Sequence, residues 1–349
     1  MGVSPTTATG KSMKHEIMRL GLDLAKSVFV VYGVDSEGRC RLRRQLRRTE
    51  LQHFCANMEP CLIGMESGSG AHYWARELIK LGHDARIMDP RLVVAYRSQG
   101  RTGKNDSNDA AAICEAVGRP QMRFVPIKKE DQQAVLLVHR IRQSRVRERT
   151  RTANQLRGLL AEFGVVLPRG LDRLKREWPQ MRQHEADRIP ELAWTELDEL
   201  FRRLGELHTE VLAYDRKIRD HIRRELRAQR LCRIGGIGQI TASAVVATVG
   251  NGRDFKNGRQ FAAWIGLVPG QCSSGGRNSL GRITKRGDAY LRTLFVHGAR
   301  AELKYVHRRS DPKSRWAQNL KDNKPWNKAA VALANKPARQ AWAVLAHEG

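Results

Sequence analysis

The chain has 349 residues, with 63 Lys and Arg against 36 Asp and Glu, and a formal net charge of +27 at pH 7. Its hydrophobic fraction of 41% suffices for globular packing, and its length suits about two domains with cores of their own. This charge predicts a polyanionic partner, and because basic residues recur along the whole chain, nucleic acid fits better than a membrane surface.

The remaining bulk features concern redox state and location. The six cysteines include no C-x-x-C pair, and several lie in apolar runs such as AAICEAV, so we expect reduced thiols. Residues 1–16 are polar, and no segment approaches the roughly 20 apolar residues of a membrane span. These features predict a cytoplasmic protein.

The N-terminal third alternates between strand and helix patterns. Residues 18–35 predict a strand, a tight turn and a second strand, and residues 39–46 predict a third. Further predicted elements are a helix over 49–58, a buried strand ending at Glu66, a helix over 71–82, a strand over 85–89, a short helix to about Tyr96 and a helix from about Ser107 to Val117. Three strands followed by alternation favour a mixed α/β sheet of the ribonuclease H kind over a doubly wound fold, which opens with βαβ.

The middle of the chain is predicted to be helical beyond a Pro-bounded connector at residues 119–131. Residues 139–152, HRIRQSRVRERTRT, contain so few apolar side chains that core burial alone does not account for their order. After a Pro-containing break at residues 168–190, a long helix carries two sevenfold series. These are Leu197, Leu204, Val211 and Ile218, and Leu200, Leu207, Tyr214 and His221. They indicate a coiled coil that pairs either with the Arg-rich helix of the same chain or with another protomer.

From Leu231 the composition changes to RIGGIGQITASAVVATVG, followed by a basic loop around residues 270–287, a helix and a helical tail. The predicted organisation is an α/β N-terminal domain over 17–125, a helical coiled-coil stalk over 126–230 and a mainly α C-terminal domain over 231–349. The glycine turn at its start is of the helix-hairpin-helix kind.

Four carboxylates occupy positions that a ribonuclease H fold would gather. Asp23 lies in the first predicted strand, Glu66 ends the fourth, and Asp106 and Asp109 share one face of a later helix. Carboxylate oxygens suit Mg²⁺, and two such ions activate the attacking and leaving oxygens in phosphoryl transfer. Taken singly, Asp106 could be a helix cap, Asp23 a turn residue and Glu66 an ion-pair partner. The order and positions of all four favour the metal site.

Two further stretches carry candidate chemistry. RIGGIGQITA, residues 233–242, is a glycine turn that either receives a phosphate at a helix N-terminus or forms a tight helix–helix packing turn. QCSSGGRNSLGRITKRGD, residues 271–288, sets serines between glycines in a mobile loop rich in cations. Such a loop could attack a phosphodiester through a hydroxyl, or it could only grip phosphate, and composition alone favours the grip.

Taken together, GLDLAK, GMESGSGAHYWA, KNDSNDAAAI, IGGIGQITA, FAAWIGLVPGQCSSGG and GRITKRGDAYLRTLF resemble the DEDD transposases of bacterial insertion sequences, the family of bridge-RNA-guided recombinases. The motifs run in the family order from about residue 20 to about residue 300. The resemblance implies a ribonuclease H-like (RuvC-like) N-terminal domain whose Mg²⁺ ligands are Asp23, Glu66, Asp106 and Asp109. It also implies a C-terminal domain whose nucleophilic serine precedes glycine, which is Ser274 here, with Ser273 as an adjacent rival.

The resemblance further implies a covalent phosphoserine intermediate and active sites shared between protomers of a homodimer or tetramer. A non-coding guide RNA would pair with element and target DNA. Candidate contacts to nucleic acid, each with a solvated surface or a packing role as the alternative, are Arg140, Arg142, Arg145, Arg147, Arg149, Gly236, Gly238, Arg277, Arg282, Lys285 and Arg286. We therefore expect an insertion-sequence transposase that cleaves and exchanges DNA strands with Mg²⁺. The alternatives are a Holliday-junction-type nuclease that uses water, and a non-catalytic nucleic-acid-binding protein.

Overall fold

The computed structural model describes residues 17–97, 106–167, 169–274 and 277–347, except for the side chains at 106–107 and 272–278. These residues fall into two compact units, one ending at Lys129 and the other beginning at Glu130. The two units are described one after the other. The predicted division into three domains stays a prediction.

The first unit is built on a mixed six-stranded sheet. Its strands are β1 (Arg19–Leu24), β2 (Val28–Val34), β3 (Cys40–Arg47), β4 (Leu62–Glu66), β5 (Asp84–Met88) and β6 (Phe124–Val125), in the order β3-β2-β1-β4-β5-β6. The first three strands are antiparallel neighbours, β4 and β5 run parallel to β1, and β6 is antiparallel to β5. The predicted mixed sheet is therefore confirmed. Only β6 was missed, because two paired residues in a Pro-bounded connector have no alternating pattern.

Helices cover both faces of this sheet. They are α1 (Leu51–Ala56), α2 (Ala71–Lys80), α3 (Pro90–Val93), a 3₁₀ turn at Val94–Tyr96 and α4 (Asp106–Val117). Leu20, Leu22 and Phe29 are fully buried in a core that includes Trp74 of α2. The Phe29 and Trp74 rings meet edge to face with their centroids 5.4 Å apart. On the other face, α4 packs through a smaller apolar cluster around Ile113.

The second unit is largely helical, as predicted. Its elements are α5 (Glu130–Glu162), α6 (Leu171–His184), α7 (Glu191–Ile222), α8 (Leu226–Leu231), α9 (Gln239–Val249), α10 (Gly258–Ile265), β7 (Pro269–Ser274), β8 (Arg277–Ile283), α11 (Ala289–Tyr305), α12 (Pro312–Asn323) and α13 (Trp326–His347). Within the described ranges, no helix is long and apolar enough to cross a membrane.

The break expected at residues 168–190 is wrong, because α6 occupies most of it and contains Pro179. Leu174 and Trp178 are buried in a cluster with α5 and α7, and the Trp178 ring stacks on Phe201 at 4.4 Å. This apolar packing outweighs the backbone hydrogen bond that Pro179 cannot make.

The heptad helix α7 packs against the Arg-rich helix α5 of the same chain. All four residues of the first predicted series, Leu197, Leu204, Val211 and Ile218, are buried. Charged pairs flank this seam, with Arg145 Nε 2.6 Å from Glu210 Oε2 and Arg203 Nη2 2.8 Å from Glu148 Oε1. Of the two pairings that the sequence allowed, the one within the chain is therefore observed.

Candidate functional site

Asp23 and Glu66 lie next to each other at one end of the first unit's sheet. In the parallel pair of β1 and β4, Leu22 is opposite Met65, so the next residue of each strand falls at the same level. Both acids are half-buried. Each follows a glycine by two positions, Gly21 and Gly64, and therefore projects toward the same face of the sheet as those glycines.

Helix α4 packs on that face so closely that only glycine fits beneath it. A Cβ on Gly21 would lie 2.1 Å from the carbonyl oxygen of Ala110, and one on Gly64 would lie 2.7 Å from the Val117 Cβ. The Cys114 Sγ lies 3.6 Å from the Arg19 carbonyl oxygen, near the start of β1. The later residues of α4 therefore lie near the start of β1, and its N-terminal residues lie toward the end of β1.

The beginning of α4 is therefore directed to the edge where Asp23 and Glu66 lie. Asp106 is the first residue of this helix and Asp109 is its fourth. The positions predicted for the four acids are confirmed at the level of elements: one in β1, one at the end of β4 and two in the first turn of α4. The side chain of Asp106 lies outside the described residues.

Asp109 has a partner that sequence reasoning missed. Its side chain is buried, and its Oδ1 lies 2.7 Å from the Nε of Arg97, which follows the 3₁₀ turn. A buried carboxylate needs a countercharge, because leaving it uncompensated costs several kcal/mol. Nothing in the local sequence marks Arg97 among many arginines, since its role depends on how α4 is placed.

The carboxylate oxygens at this edge of the sheet suit Mg²⁺, which prefers oxygen ligands and keeps several waters. Among the side chains that the structure describes, no three His, Cys, Asp or Glu residues converge closely enough to hold a metal ion. Asp106, the fourth acid, is not in that set. The residues present fit a divalent cation in the chemistry of their donors and share one edge of the sheet, while Arg97 supplies positive charge at Asp109 in this arrangement.

The close packing of α4 leads to a first prediction. Gly21→Ala should lower the free energy of unfolding of the first unit by about 3 kcal/mol, because its new Cβ meets backbone that cannot move independently. Denaturant unfolding, with hydrogen exchange read at the α4 amides, measures this loss. Gly68→Ala is the matched control, since the nearest atom to its Cβ is 4.0 Å away. Equal stability of the two variants would contradict the packing argument.

The serine stretch is not the loop predicted from its composition. Strands β7 and β8 form an antiparallel hairpin that pairs Pro269 with Ile283 and Ser274 with Arg277, with an irregularity between Pro269 and Gln271. The prediction failed because the hairpin lacks the alternation of a half-buried strand, and even Leu280 is 68% exposed. Ser274 is the last residue of β7. Because the serine side chains lie outside the described set, Ser274 and Ser273 both remain candidates.

The base of this hairpin is fixed by hydrogen bonds to backbone oxygens. The Thr284 N–H donates to the Val268 oxygen at 2.9 Å, and Arg292 Nη1 donates to the Ile265 oxygen at 2.8 Å. A Cβ on Gly287 would lie 1.7 Å from the Trp264 oxygen, so the chain turns there against the end of α10. The serines are thus carried on a hairpin whose base is anchored to two helices.

Three of the cations predicted near the serines, Arg282, Lys285 and Arg286, are exposed. They form no ion pair with any residue that the structure describes, so they remain available to phosphate. The side chain of Arg277 is outside that set, and its predicted contact is not described.

The five arginines of α5 predicted to contact nucleic acid divide into two groups. Arg142 lies 2.5 Å from Asp215, Arg145 pairs with Glu148 and Glu210, and Arg149 lies 3.2 Å from a ring nitrogen of His208. The contacts with Asp215, Glu210 and His208 join α5 to α7, whereas the Arg145–Glu148 pair lies within α5. The other two, Arg140 and Arg147, are exposed and form no ion pair in the described part of the chain. Contact with nucleic acid stays a prediction for all five.

The glycine turn has a clear packing role. Gly236 has a φ of +85°, and a Cβ on Gly298 of α11 would lie 1.8 Å from the Gly236 oxygen. Lys313 Nζ donates to the Gly235 oxygen at 3.0 Å and pairs with Glu302. The turn therefore packs tightly on α11, which is one of the two roles considered for it. Gly238 precedes α9 as its N-cap, and phosphate binding there stays a prediction.

A buried histidine links three helices of the second unit. His139 of α5 is 1% exposed, with Nδ1 3.0 Å from Tyr290 Oη and Nε2 3.0 Å from Ser243 Oγ. Tyr290 lies in the first turn of α11, directly after the serine hairpin, so the network ties that turn to the Arg-rich helix. Sequence reasoning missed it because a histidine among arginines looks like one more surface cation.

Burial, followed by repulsion from Arg142, lowers the pKa of His139 to about 4 from its model-peptide value of 6.5. The unfolded chain therefore binds this proton first, and the stability from the neutral imidazole, complete above pH 6.5, is lost between about pH 6.5 and pH 4.

We expect this group to lower the free energy of unfolding by about 2 to 3 kcal/mol between pH 7 and about pH 4.5. Denaturant unfolding of the chain and of His139→Asn at both pH values measures the effect. The variant should start less stable and lose less on acidification. An equal acid loss in both proteins would show that His139 is not the titrating group.

Comparison with known families agrees with the order of these parts. The family described as "Transposase IS116/IS110/IS902 family" matches residues 228–315, which contain the glycine turn and the serine hairpin. A transposase family of the DEDD, IS110 type matches residues 20–164, which contain the four acids and α5.

Several curated proteins are similar over nearly their whole length. A "Probable family 20 transposase" of Pseudomonas aeruginosa is 47% identical over 333 residues, covering 95% of this chain and 98% of that protein. The "Transposase for insertion sequence element IS1328" of Yersinia enterocolitica is 39% identical over 93% of this chain and 96% of its own length. The "Transposase for insertion sequence element IS1111A" of Coxiella burnetii is 39% identical over 97% of this chain and 92% of its own length.

Proposed function

Because the chain belongs to the IS116/IS110/IS902 family of transposases, which are enzymes of DNA phosphoryl transfer, we propose that it moves its element through a Mg²⁺-dependent serine–DNA intermediate guided by a non-coding RNA. The observation that carries the proposal is the common edge formed by the ends of β1 and β4 and the start of α4. Because its family consists of enzymes, the alternative of a non-catalytic nucleic-acid-binding protein is not favoured.

The proposed fold of the first unit is the RuvC-like form of ribonuclease H. Its support is the order of three antiparallel strands followed by two parallel ones, with helices on both faces. On this proposal, Asp23, Glu66, Asp106 and Asp109 hold the metal, and Asp109 must exchange its contact with Arg97 for one with the cation. When bound, Mg²⁺ neutralises and polarises the scissile phosphate.

The covalent chemistry is assigned to Ser274. Its Oγ loses a proton to solvent and forms a bond to phosphorus while the bond from phosphorus to the 3′-oxygen of the DNA breaks. The released 3′-oxygen takes up a proton. In the second step a partner 3′-hydroxyl gives up its proton and bonds to phosphorus, and Ser274 Oγ leaves and is protonated again. Exposed Arg282, Lys285 and Arg286 would hold the strand during both steps.

The guide RNA and the oligomer complete the proposal. A net charge of +27 and the exposed Arg140 and Arg147 on α5 suit a complex that holds RNA and DNA together, and base pairing would then select the sequence. A dimer or tetramer would let the acids of one protomer work with the serine of another. Such a complex would act on the nucleoid of a bacterial cell.

The test is a search for a covalent adduct. Purified protein is incubated with Mg²⁺, end-labelled element DNA and RNA transcribed from the element's non-coding flank, and the products are separated in SDS. We expect labelled DNA to migrate with the protein and a free 3′-hydroxyl at the cut. Free 5′-phosphate ends without an adduct would overturn the serine mechanism and favour the junction-nuclease alternative.

A further inference from the structure

A cleft of about 1220 Å³ opens within the second unit between α5, α7, the glycine turn and α11. Its volume exceeds the roughly 300–1,000 Å³ of typical small-molecule pockets, so a larger ligand is expected. The glycine turn contributes backbone to one wall, and α5 faces it from another.

Positive charge dominates this cleft. Among the described residues that line it, the acids are Asp215 and Glu302, and these are already paired with Arg142 and Lys313. Four lining arginines are exposed and form no ion pair with any residue in the described ranges: Arg147, Arg219, Arg233 and Arg309. They come from α5, α7, the glycine turn and the segment after α11, so their convergence depends on the fold and is not visible in the sequence.

Aromatic side chains share the same walls. Tyr305 lines the cleft near the end of α11 and is 46% exposed, and Tyr290 and His297 lie on the same helix. Two cations lie over the Tyr305 ring, with the Arg308 guanidinium 5.1 Å and the Lys304 Nζ 5.3 Å from its centre, so this aromatic side chain lies in a strongly basic part of the cleft. Bases stack on such rings only when they have left the duplex, and cationic grooves with aromatic side chains are typical of single-strand binding.

We propose that this cleft binds a single-stranded stretch of nucleic acid, with Arg147, Arg219, Arg233 and Arg309 on its phosphates and Tyr305 beneath a base. The inference rests on the proposed function for the presence of such a strand, and it adds a binding site to that function. RNA and DNA share the chemistry that the cleft recognises. An unpaired RNA segment and a displaced DNA strand are therefore the two possible sources.

Fluorescence anisotropy with the full chain tests the proposal. The probes are a labelled single-stranded RNA, a single-stranded DNA of the same sequence and the corresponding DNA duplex, each titrated over a range of salt concentrations. The combined variant Arg219→Ala, Arg233→Ala, Arg309→Ala should bind single strands at least about tenfold more weakly. Its slope of log affinity against log salt should fall by about 2, since each phosphate contact on a single strand contributes roughly 0.7.

A matched variant controls for the lost charge. Arg169, Arg176 and Arg253 are exposed, form no ion pair among the described residues and do not line the cleft. Their combined replacement by alanine removes the same charge from the same unit. Single-strand affinity should then stay within about threefold of the parent chain. Tyr305→Ala should weaken single-strand binding by about tenfold, whereas Tyr305→Phe keeps the ring and should bind like the parent chain.

Each outcome decides the question. If the cleft variants lose affinity for a single-stranded probe and the control variant does not, the proposal is supported. The probe whose affinity falls more, RNA or DNA, identifies the source of the strand. Equal losses in the two triple variants, a loss confined to the duplex, or no single-strand binding by the parent chain would overturn it. None of these readings involves cleavage, so a failure of the serine mechanism in the adduct assay would leave them unchanged.

Discussion

Ser274→Ala is expected to abolish the covalent adduct and to reduce strand exchange by at least about 10³-fold, because alanine has no oxygen to bond to phosphorus. Ser274 is the last residue of β7 and pairs with Arg277 of β8. Only the serine that bonds to phosphorus is required for the adduct, so loss of the neighbouring hydroxyl should leave the adduct intact.

Ser273→Ala is therefore the matched control. It removes a hydroxyl from the preceding residue, which pairs with Asn278, and the variant should still form the adduct. Labelled element DNA, separated in SDS after incubation with Mg²⁺ and RNA, reports both variants, and anisotropy with the same DNA confirms that each still binds. If Ser273→Ala loses the adduct and Ser274→Ala keeps it, the assignment to Ser274 is wrong.

The first unit could be predicted from sequence because its signals are local. β1 and β2 contain apolar side chains at alternate positions, such as Leu20 and Leu22, that bury one face of the sheet. Chain order then limits how the strands can pair. The positions of Asp23 and Glu66 at the strand ends follow from these patterns alone.

Other features depend on contacts between distant segments, which local patterns do not contain. Arg97 pairs with Asp109 only because α4 packs on the sheet, and His139 is buried only because α9 and α11 surround it. In the serine hairpin, the described residues Gln271 and 279–282 are all exposed, so this part of the sequence has no alternation of buried and exposed positions to recognise. Composition showed that cations lie near the serines, but not that the chain pairs with itself there.

The middle of the chain is an intermediate case. The sevenfold series beginning at Leu197 predicted a long helix with a buried seam, and α7 has both. Its partner was ambiguous, because α5 is too rich in arginine to look like a packing surface. In the structure, Arg142 and Arg145 pair with acids of α7, so charge complementarity holds part of this seam where apolar contact is sparse.

Asp23→Asn is expected to suppress adduct formation by at least about 10³-fold while Ser274 remains intact. Asparagine preserves the shape of the side chain but removes the charge that a hard cation prefers. Asp23 lies in β1 beside Glu66, on the face that α4 covers, so a metal held at this edge would depend on it. The same change should remove the stabilisation by Mg²⁺, which reaches about 2.7 kcal/mol at 100 times the dissociation constant.

Asp35→Asn controls for removal of an acid from the same unit. Asp35 follows β2, where backbone hydrogen bonds from Arg39 and Glu37 and a contact with Arg41 lower its pKa to about 2. This variant should be less stable than the parent chain near neutral pH, yet its melting temperature should still rise with Mg²⁺ and its adduct should still form. Thermal unfolding with and without Mg²⁺ separates the two effects. Adduct formation by Asp23→Asn at the parental rate would mean that serine attack does not depend on this acidic edge, and the catalytic site would have to be sought elsewhere in the chain.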